Sequence, residues 1–127
     1  MKKFYLIFLM ISLLIIAGCS SVKYTKESLD ALANCLADKN VKEYGAFWCP
    51  NCAKQQKMFI SSYDIIKERG VYVECDPRGE NAQPNLCLEK EVQKYPDWEF
   101  SNGERLIGVQ DLGILAQKAG CDVPILK

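Results

Sequence analysis

The chain has 127 residues, with 16 basic and 16 acidic side chains and a formal net charge of zero. This length predicts a single domain, and the balanced charge excludes a nucleic-acid-binding protein that depends on a basic surface. The sequence contains seven cysteines and no histidine. The missing histidine excludes Ser-His and Cys-His catalysis, as well as any zinc or copper site that needs imidazole.

The N-terminal segment is typical of an export signal. Lys2 and Lys3 precede an apolar run of 13 residues from Phe4 to Ile16, which is too short to span a bilayer of ~30 Å comfortably. The run ends at Ile16-Ala17-Gly18-Cys19, which resembles the lipobox of bacterial lipoproteins. In that family a signal peptidase cuts before the cysteine, whose sulfur carries a diacylglycerol. The alternatives are an ordinary secretory signal or a short anchor.

The resemblance to a lipobox divides the chain into residues 1–18 as a lipoprotein signal peptide, 19–27 as a lipidated tether and 28–127 as the folded domain. Cleavage would remove Lys2 and Lys3 from the 16 basic residues, leaving 14 against 16 acidic ones and a net charge of −2. The predicted location is extracytoplasmic, with Cys19 anchored to a bacterial membrane at the periplasm or the cell surface. Disulfides persist in such compartments, so the six remaining cysteines, an even number, suggest pairing.

The first half of the domain predicts a helix, a strand and a second helix. Ser28 is a suitable N-cap for a helix over about 29–38, whose apolar residues Leu29, Leu32, Ala33 and Leu36 share one face. Residues 41–47 predict a buried strand. A helix over about 50–68 follows, with Pro50 in its first turn and Gly70 at its end.

The second half predicts a short strand, a short helix, a hairpin and a final helix. The strand falls at about 71–75 and the short helix at about 85–93. The hairpin strands fall at about 97–101 and 105–109, and the final helix lies in the segment from Asp111 to Gly120. Asn102-Gly103 is a strong hairpin signal between the last two strands. Strands that alternate with helices imply a parallel portion, and the hairpin adds an antiparallel one. We therefore predict an α/β fold with a mixed four-stranded sheet and helices on both faces.

Cys49 and Cys52 are three residues apart at the start of a predicted helix, where both lie on one face about a turn apart. The helix N-terminus favours an anion, so it should stabilise the thiolate of Cys49, which is the attacking species in disulfide exchange. Cys52, one turn deeper, should resolve the mixed disulfide. The alternatives are a structural disulfide or a zinc site, which would need two more ligands from cysteines or carboxylates.

The residues around this pair resemble thioredoxin. Phe47-Trp48-Cys49-Pro50-Asn51-Cys52 follows a strand, and Tyr95-Pro96 precedes a hairpin. Three blocks are similar, in the same order, to the thioredoxin-like domain of bacterial and plant vitamin K epoxide reductase homologues. They are Tyr44–Cys49, Tyr72–Gly79 and Tyr95–Glu99. The resemblance covers about residues 29–121 and implies a thioredoxin-like fold.

This resemblance implies a thiol–disulfide oxidoreductase without a cofactor. A cis proline at Pro96, with Tyr95, Trp48 and Pro50, would bind the substrate chain. In that family the domain exchanges disulfides with a quinone-linked membrane oxidoreductase and oxidises exported proteins that contain cysteines. Here no four-helix membrane bundle accompanies the domain, so the partner would be a separate protein. Asn51 stands where the family often has histidine, which predicts a less oxidising couple.

Glu43 lies six residues before Cys49, where thioredoxins and disulfide isomerases carry a buried acid that moves a proton for the deeper cysteine. If Glu43 is buried beside Cys52, its carboxyl pKa should rise, and proton exchange near neutral pH becomes feasible. The alternative is a carboxylate at the strand edge that faces water.

The four cysteines other than Cys19, Cys49 and Cys52 have more than one interpretation. The resemblance supports a structural disulfide between Cys75 and Cys87, and the rival is a relay pair that passes electrons between the dithiol and a partner. Cys35 and Cys121 could pair by exclusion, but the first and last helices of a thioredoxin fold normally cover opposite sheet faces, which leaves buried free thiols as the alternative.

Two functions from different classes therefore fit the sequence. The first is a thiol–disulfide oxidoreductase in which Cys49 attacks, Cys52 resolves and Glu43 moves the proton. The second is a redox-inert lipoprotein on a thioredoxin scaffold that binds a partner or carries a metal. No metal ligand set beyond the cysteines is evident, and the first function needs neither a metal nor an organic cofactor.

Overall fold

The computed structural model describes residues 23–123, so the predicted signal peptide and Cys19 lie outside the described part of the chain. Within that part the chain forms five α-helices and four strands. They are α1 (Lys26–Asp38), β1 (Lys42–Gly45), α2 (Pro50–Phe59), α3 (Tyr63–Glu68), β2 (Tyr72–Glu74), α4 (Pro84–Glu89), β3 (Asp97–Glu99), β4 (Arg105–Ile107) and α5 (Leu112–Ala119). None of the helices in this range has the length and hydropathy needed to cross a bilayer.

The four strands form one sheet in the order β2-β1-β3-β4. Strand β1 runs parallel to β2 and antiparallel to β3, and β4 runs antiparallel to β3. The predicted hairpin closes at Gly103, whose φ of 83° is a conformation that glycine adopts without strain. The predicted mixed four-stranded sheet of the α/β class is therefore confirmed, and it is compatible with a thioredoxin-like fold.

Helices cover both faces of the sheet, as predicted. Trp98, which pairs with Glu43 across β1 and β3, belongs to a core cluster that includes residues of α1, α2, α3 and α5. Tyr44, the next residue along β1, belongs with Val73 to a second cluster that includes Cys87 of α4. Because neighbouring residues of a strand point to opposite faces, the two clusters lie on opposite sides of the sheet.

The first helix begins three residues earlier than the sequence indicated. Thr25, and not Ser28, is the N-cap: its Oγ1 accepts the Ser28 N–H at 3.1 Å, and Ser28 Oγ accepts the Thr25 N–H at 2.9 Å. This reciprocal arrangement satisfies two donors at the helix start and places Ser28 inside the first turn. Lys26 and Glu27, predicted to belong to the tether, are therefore helical. The predicted apolar face of α1 is buried as expected.

The helix predicted over 50–68 is interrupted near its middle. α2 ends at Phe59, Ile60 adopts a φ of 53°, and a 3-10 turn (Ile60–Ser62) leads into α3. Ser62 Oγ donates a hydrogen bond to Asp30 of α1 at 2.6 Å. This contact with α1 is a tertiary one, which the periodicity of residues 50–68 does not encode. The strands and α4 are also shorter than predicted.

A disulfide joins Cys35 of α1 to Cys121, just beyond α5, with a Cα–Cα distance of 6.0 Å. The expectation that α1 and α5 cover opposite faces is wrong, because residues of both helices pack in the same core cluster. The bridge spans 86 residues of sequence, whereas the second disulfide, Cys75–Cys87, spans 12.

We expect the double change Cys35→Ala with Cys121→Ala to destabilise the protein more than Cys75→Ala with Cys87→Ala. In the chain-entropy model a longer closed loop restricts the unfolded chain more, by about 1–2 kcal/mol for this pair of lengths. Urea unfolding under oxidising conditions measures both losses. A larger loss for the Cys75–Cys87 variant would contradict the expectation.

Candidate functional site

Cys49 occupies the N-cap of α2, and Pro50 fills the first helical position, where no backbone N–H is needed. The Cys52 backbone N–H donates to Cys49 Sγ at 3.2 Å. Unpaired N–H groups at a helix start stabilise negative charge on a nearby atom. The sulfur of Cys49 therefore lies at the helix start, at the position that the sequence indicated, and accepts a backbone N–H there.

Both cysteines of this pair are free thiols and each is only 6% exposed. They pack with Ala46 and are covered in part by Tyr95. Burial raises the pKa of the Cys52 thiol, and the neighbouring Cys49 and Glu43 raise it further. Cys52 consequently stays protonated around neutral pH unless a nearby group takes its proton.

Gly45 allows α2 to lie against the central strand. A Cβ atom at this position would come within 2.8 Å of the Tyr72 ring and 3.0 Å of Cys52 Sγ. Real Cβ atoms are essentially never found as close as the first of these distances. A glycine inside a strand often marks such a close approach, so the sequence itself carries a signal for this contact.

Aromatic side chains lie around the dithiol at the surface. Trp48 is 54% exposed and contacts the edge of the Tyr95 ring, with ring centroids 6.1 Å apart. Trp48 Nε1 donates to Asp76 Oδ2 at 2.7 Å. The Arg78 guanidinium and the Trp48 indole hold the pKa of the Asp76 carboxyl below its usual range. Trp48 is thus oriented by a charged acceptor while most of its apolar surface stays open to solvent.

The Tyr95–Pro96 peptide bond is cis, the isomer expected from the resemblance. Pro96 is buried, and its carbonyl accepts the Gly108 N–H at 2.8 Å. Pro50, by contrast, is exposed at the start of α2. Among the predicted substrate-binding residues, the structure brings Trp48 and Tyr95 into contact beside the dithiol.

Glu43 is completely buried in the central strand, so the alternative of a carboxylate facing water is wrong. Its Oε2 accepts the Tyr63 hydroxyl at 2.9 Å, and its Oε1 has no hydrogen-bond partner among residues 23–123. Burial raises the pKa of the Glu43 carboxyl to about 8, and the Tyr63 hydrogen bond offsets part of that rise. Such a group can take or release a proton near neutral pH.

The remaining cysteine pair fixes the segment beyond β2. Cys75 and Cys87 form a disulfide with a Cα–Cα distance of 5.7 Å, and both are buried. The bridge closes the loop that carries Asp76. Within residues 23–123 no group of three or more cysteine and carboxylate side chains is close enough together to hold a metal ion.

Tyr63 and Asp76 belong to this site although sequence reasoning did not single them out. Tyr63 is 20 residues from Glu43 and lies in a different element, and no local pattern links the two. Asp76 is 28 residues from Trp48. Trp98, by contrast, is a fully buried core residue.

Comparison with known proteins adds one informative match. Over 93 residues, or 71% of this chain, the sequence is 36% identical to thiol-disulfide oxidoreductase LTO1 of Arabidopsis thaliana. The similarity supports a redox-type domain. The match covers 24% of that relative, so the chain spans about a quarter of its length. No protein-family model matches the sequence.

We expect Glu43→Gln to remove a pH dependence of stability. The buried carboxyl keeps its proton up to about pH 8, whereas an unfolded one releases it near 4.5. The folded state thus binds more protons across this window, and its free energy of unfolding falls as pH rises, by on the order of 4 kcal/mol. Urea unfolding at several pH values between 4.5 and 8.5 measures this slope.

The matched control is Glu68→Gln, which changes an exposed carboxyl on α3. It should keep the wild-type slope. If Glu43→Gln keeps that slope as well, the burial of an ionisable carboxyl at this position is not what makes the stability depend on pH.

Proposed function

We propose that the protein is a thiol–disulfide oxidoreductase that uses Cys49 and Cys52. The observation that carries the proposal is the free thiol pair at the start of α2, in which Cys49 Sγ accepts a backbone N–H and Cys52 lies one turn deeper. A sulfur at a helix N-terminus is poised as a thiolate and so as a nucleophile. The similarity to a thiol-disulfide oxidoreductase supports the same conclusion.

The reaction follows from the positions of the two sulfurs. In the reduced protein the Cys49 thiolate attacks a substrate disulfide, forming a mixed disulfide and releasing one substrate thiolate. Cys52 then loses its proton and attacks Cys49, which releases the second substrate thiolate and forms the Cys49–Cys52 disulfide. The reverse sequence oxidises a substrate dithiol. Glu43 takes the Cys52 proton in one direction and returns it in the other.

The surface around Cys49 suits a polypeptide substrate. Phe47 and Trp48 are 61% and 54% exposed, an unusual state for large aromatic side chains in a small domain. Tyr95 contacts Trp48 at the same surface. The family resemblance assigns Pro96 to the binding of the substrate chain. We propose that the substrates are exported proteins that contain cysteines.

The proposed location follows from the N-terminal sequence. Cys19 would carry a lipid that anchors the domain on the outer side of a bacterial membrane. The resemblance to vitamin K epoxide reductase homologues then suggests a quinone-linked membrane oxidoreductase as the redox partner. The two disulfides of the domain are compatible with an oxidising compartment.

The direction of electron flow can be read from the reduction potential of Cys49–Cys52. Asn51 is neutral and stabilises the thiolate less than a histidine would, so the couple should be less oxidising than that of the strongest exported oxidases. Equilibration with glutathione or dithiothreitol buffers gives the value. A potential near about −270 mV would indicate a reductase, and one near about −120 mV an oxidase.

We expect Cys52→Ala to accumulate mixed disulfides with substrate proteins, because the attacking sulfur remains and the resolving one is lost. Cys49→Ala is the matched control and should accumulate far fewer. Acid quenching, alkylation and non-reducing gels, followed by mass spectrometry, detect the adducts. Equal amounts of adduct in the two variants would reject the proposed roles, and so would the absence of adducts from both, which a redox-inert binding protein predicts.

We expect Cys19→Ala to release the protein from the membrane when the full chain is expressed in a bacterium. The substitution removes the sulfur that would carry the lipid. Membrane fractionation and the mass of the mature protein measure the change, and Ser20→Ala is the control. Unchanged membrane association of the Cys19→Ala protein would rule out a lipid on this residue.

A further inference from the structure

A cleft of about 550 Å³ approaches the dithiol from the side of the deeper cysteine. Its lining includes Cys52, Tyr63 and Tyr72, together with Lys67 and Glu74; Cys49 and Glu43 are not among its described lining residues. The cleft shares Phe47 with the aromatic surface around Cys49, but Trp48 and Tyr95 are not in its lining, so it reaches the dithiol from the Cys52 side. Its walls carry polar side chains, including Gln56, Glu74 and Gln83, with which water can form hydrogen bonds.

Tyr63 connects this cleft to the buried carboxyl. The residue lines the cleft, and its hydroxyl donates to Glu43 Oε2 at 2.9 Å. Glu43 itself has no exposed surface. Because Oε2 is engaged by Tyr63, Oε1 is the oxygen left free to exchange a proton with the Cys52 sulfur. The two oxygens of one carboxyl can thus serve two different partners.

We propose that Tyr63 is a positioning residue that connects Glu43 to solvent through this cleft, so that the proton of Cys52 is exchanged with water behind the dithiol while a substrate covers Cys49. This inference rests on the proposed oxidoreductase function and adds a proton route and a residue to it.

The proposed proton transfer accompanies the attack of a substrate thiolate on the sulfur of Cys49 in the Cys49–Cys52 disulfide. The sulfur–sulfur bond breaks, a mixed disulfide forms, and Cys52 leaves as a thiolate that holds the electron pair. Glu43 gives the proton on Oε1 to Cys52 and receives the Tyr63 hydroxyl proton on Oε2. The Tyr63 oxygen takes a proton from water in the cleft, so the net change is one solvent proton bound by Cys52. The reverse reaction retraces these steps.

Several titratable groups surround this route and must be separated from it experimentally. Burial raises the pKa of Cys52 in α2 and of Tyr72 in β2, and the nearby Glu43 carboxylate adds to the rise in both. Tyr72 donates its own hydroxyl to Glu74 Oε2 at 2.8 Å, and Lys67 Nζ lies 5.7 Å from the centroid of the Tyr63 ring. Tyr72 is therefore a matched control, since it is a tyrosine of the same cleft whose hydroxyl is bound to a different carboxylate.

The test compares Tyr63→Phe with Tyr72→Phe in the oxidised full chain, with dithiothreitol as the reductant. Tyr63→Phe should slow reduction at pH 7 by about tenfold, which is a modest part of what general acid–base catalysis contributes, and Tyr72→Phe should stay within about twofold of the wild type. In a Glu43→Gln background Tyr63→Phe should add less than about a twofold change, because it acts through Glu43.

A second readout reports on the carboxyl itself. Carbon-13 NMR of the Glu43 carboxyl gives its titration midpoint, which Tyr63→Phe should raise by removing the donor that stabilises the carboxylate. Tyr63→3-fluorotyrosine keeps the ring and makes the hydroxyl a stronger donor, so it should lower the midpoint. This second variant preserves the shape of the core if the phenylalanine protein folds poorly.

The outcomes separate the two proposals. If Tyr63→Phe matches Tyr72→Phe in both readouts while the wild type exchanges normally, the role of Tyr63 is overturned and the oxidoreductase function stands. A wild-type protein whose Cys49 and Cys52 form no disulfide that dithiothreitol can reduce would overturn both.

Discussion

The site depends on one energetically unfavourable feature, the fully buried carboxyl group of Glu43 in the central strand of the sheet. Burying an ionised carboxylate is strongly unfavourable, so Glu43 holds its proton well above the usual pH range of a glutamate. The hydrogen bond from Tyr63 is the only one that the Glu43 carboxyl group makes among the described residues. A buried acid that destabilises the fold as pH rises is typical of a functional site, and here it lies near a free thiol.

The geometry around that acid follows from how α2 meets the sheet. Gly45 lets the helix approach β1 so closely that Cys52 Sγ would lie 3.0 Å from a Cβ atom at this position. Cys49, at the helix N-cap, directly follows the exposed Trp48, whereas Cys52 lies against β1 and lines the cleft. One helix start thus places one sulfur next to an exposed aromatic side chain and the other on the side of the buried Glu43 and Tyr63.

Local patterns in the sequence predicted much of this structure, and contacts between distant residues account for what they missed. The order of helices and strands, the hairpin at Gly103 and the placement of Cys49 at a helix start follow from periodicity, turn residues and capping. The break at Ile60 and the hydrogen bond from Tyr63 to Glu43 depend on packing between elements far apart in sequence. The pairing of Cys35 with Cys121 was judged from the usual arrangement of a related fold, and here α1 and α5 share one face instead.

The Cys35–Cys121 bridge also has a topological consequence. It encloses all four strands together with Cys49 and Cys52 in one covalent ring, within which Cys75–Cys87 closes a smaller one. A protease that cuts a surface loop between residues 35 and 121 would leave the two fragments joined, so they would separate only after reduction. A single cut within the ring therefore does not release a piece of the chain.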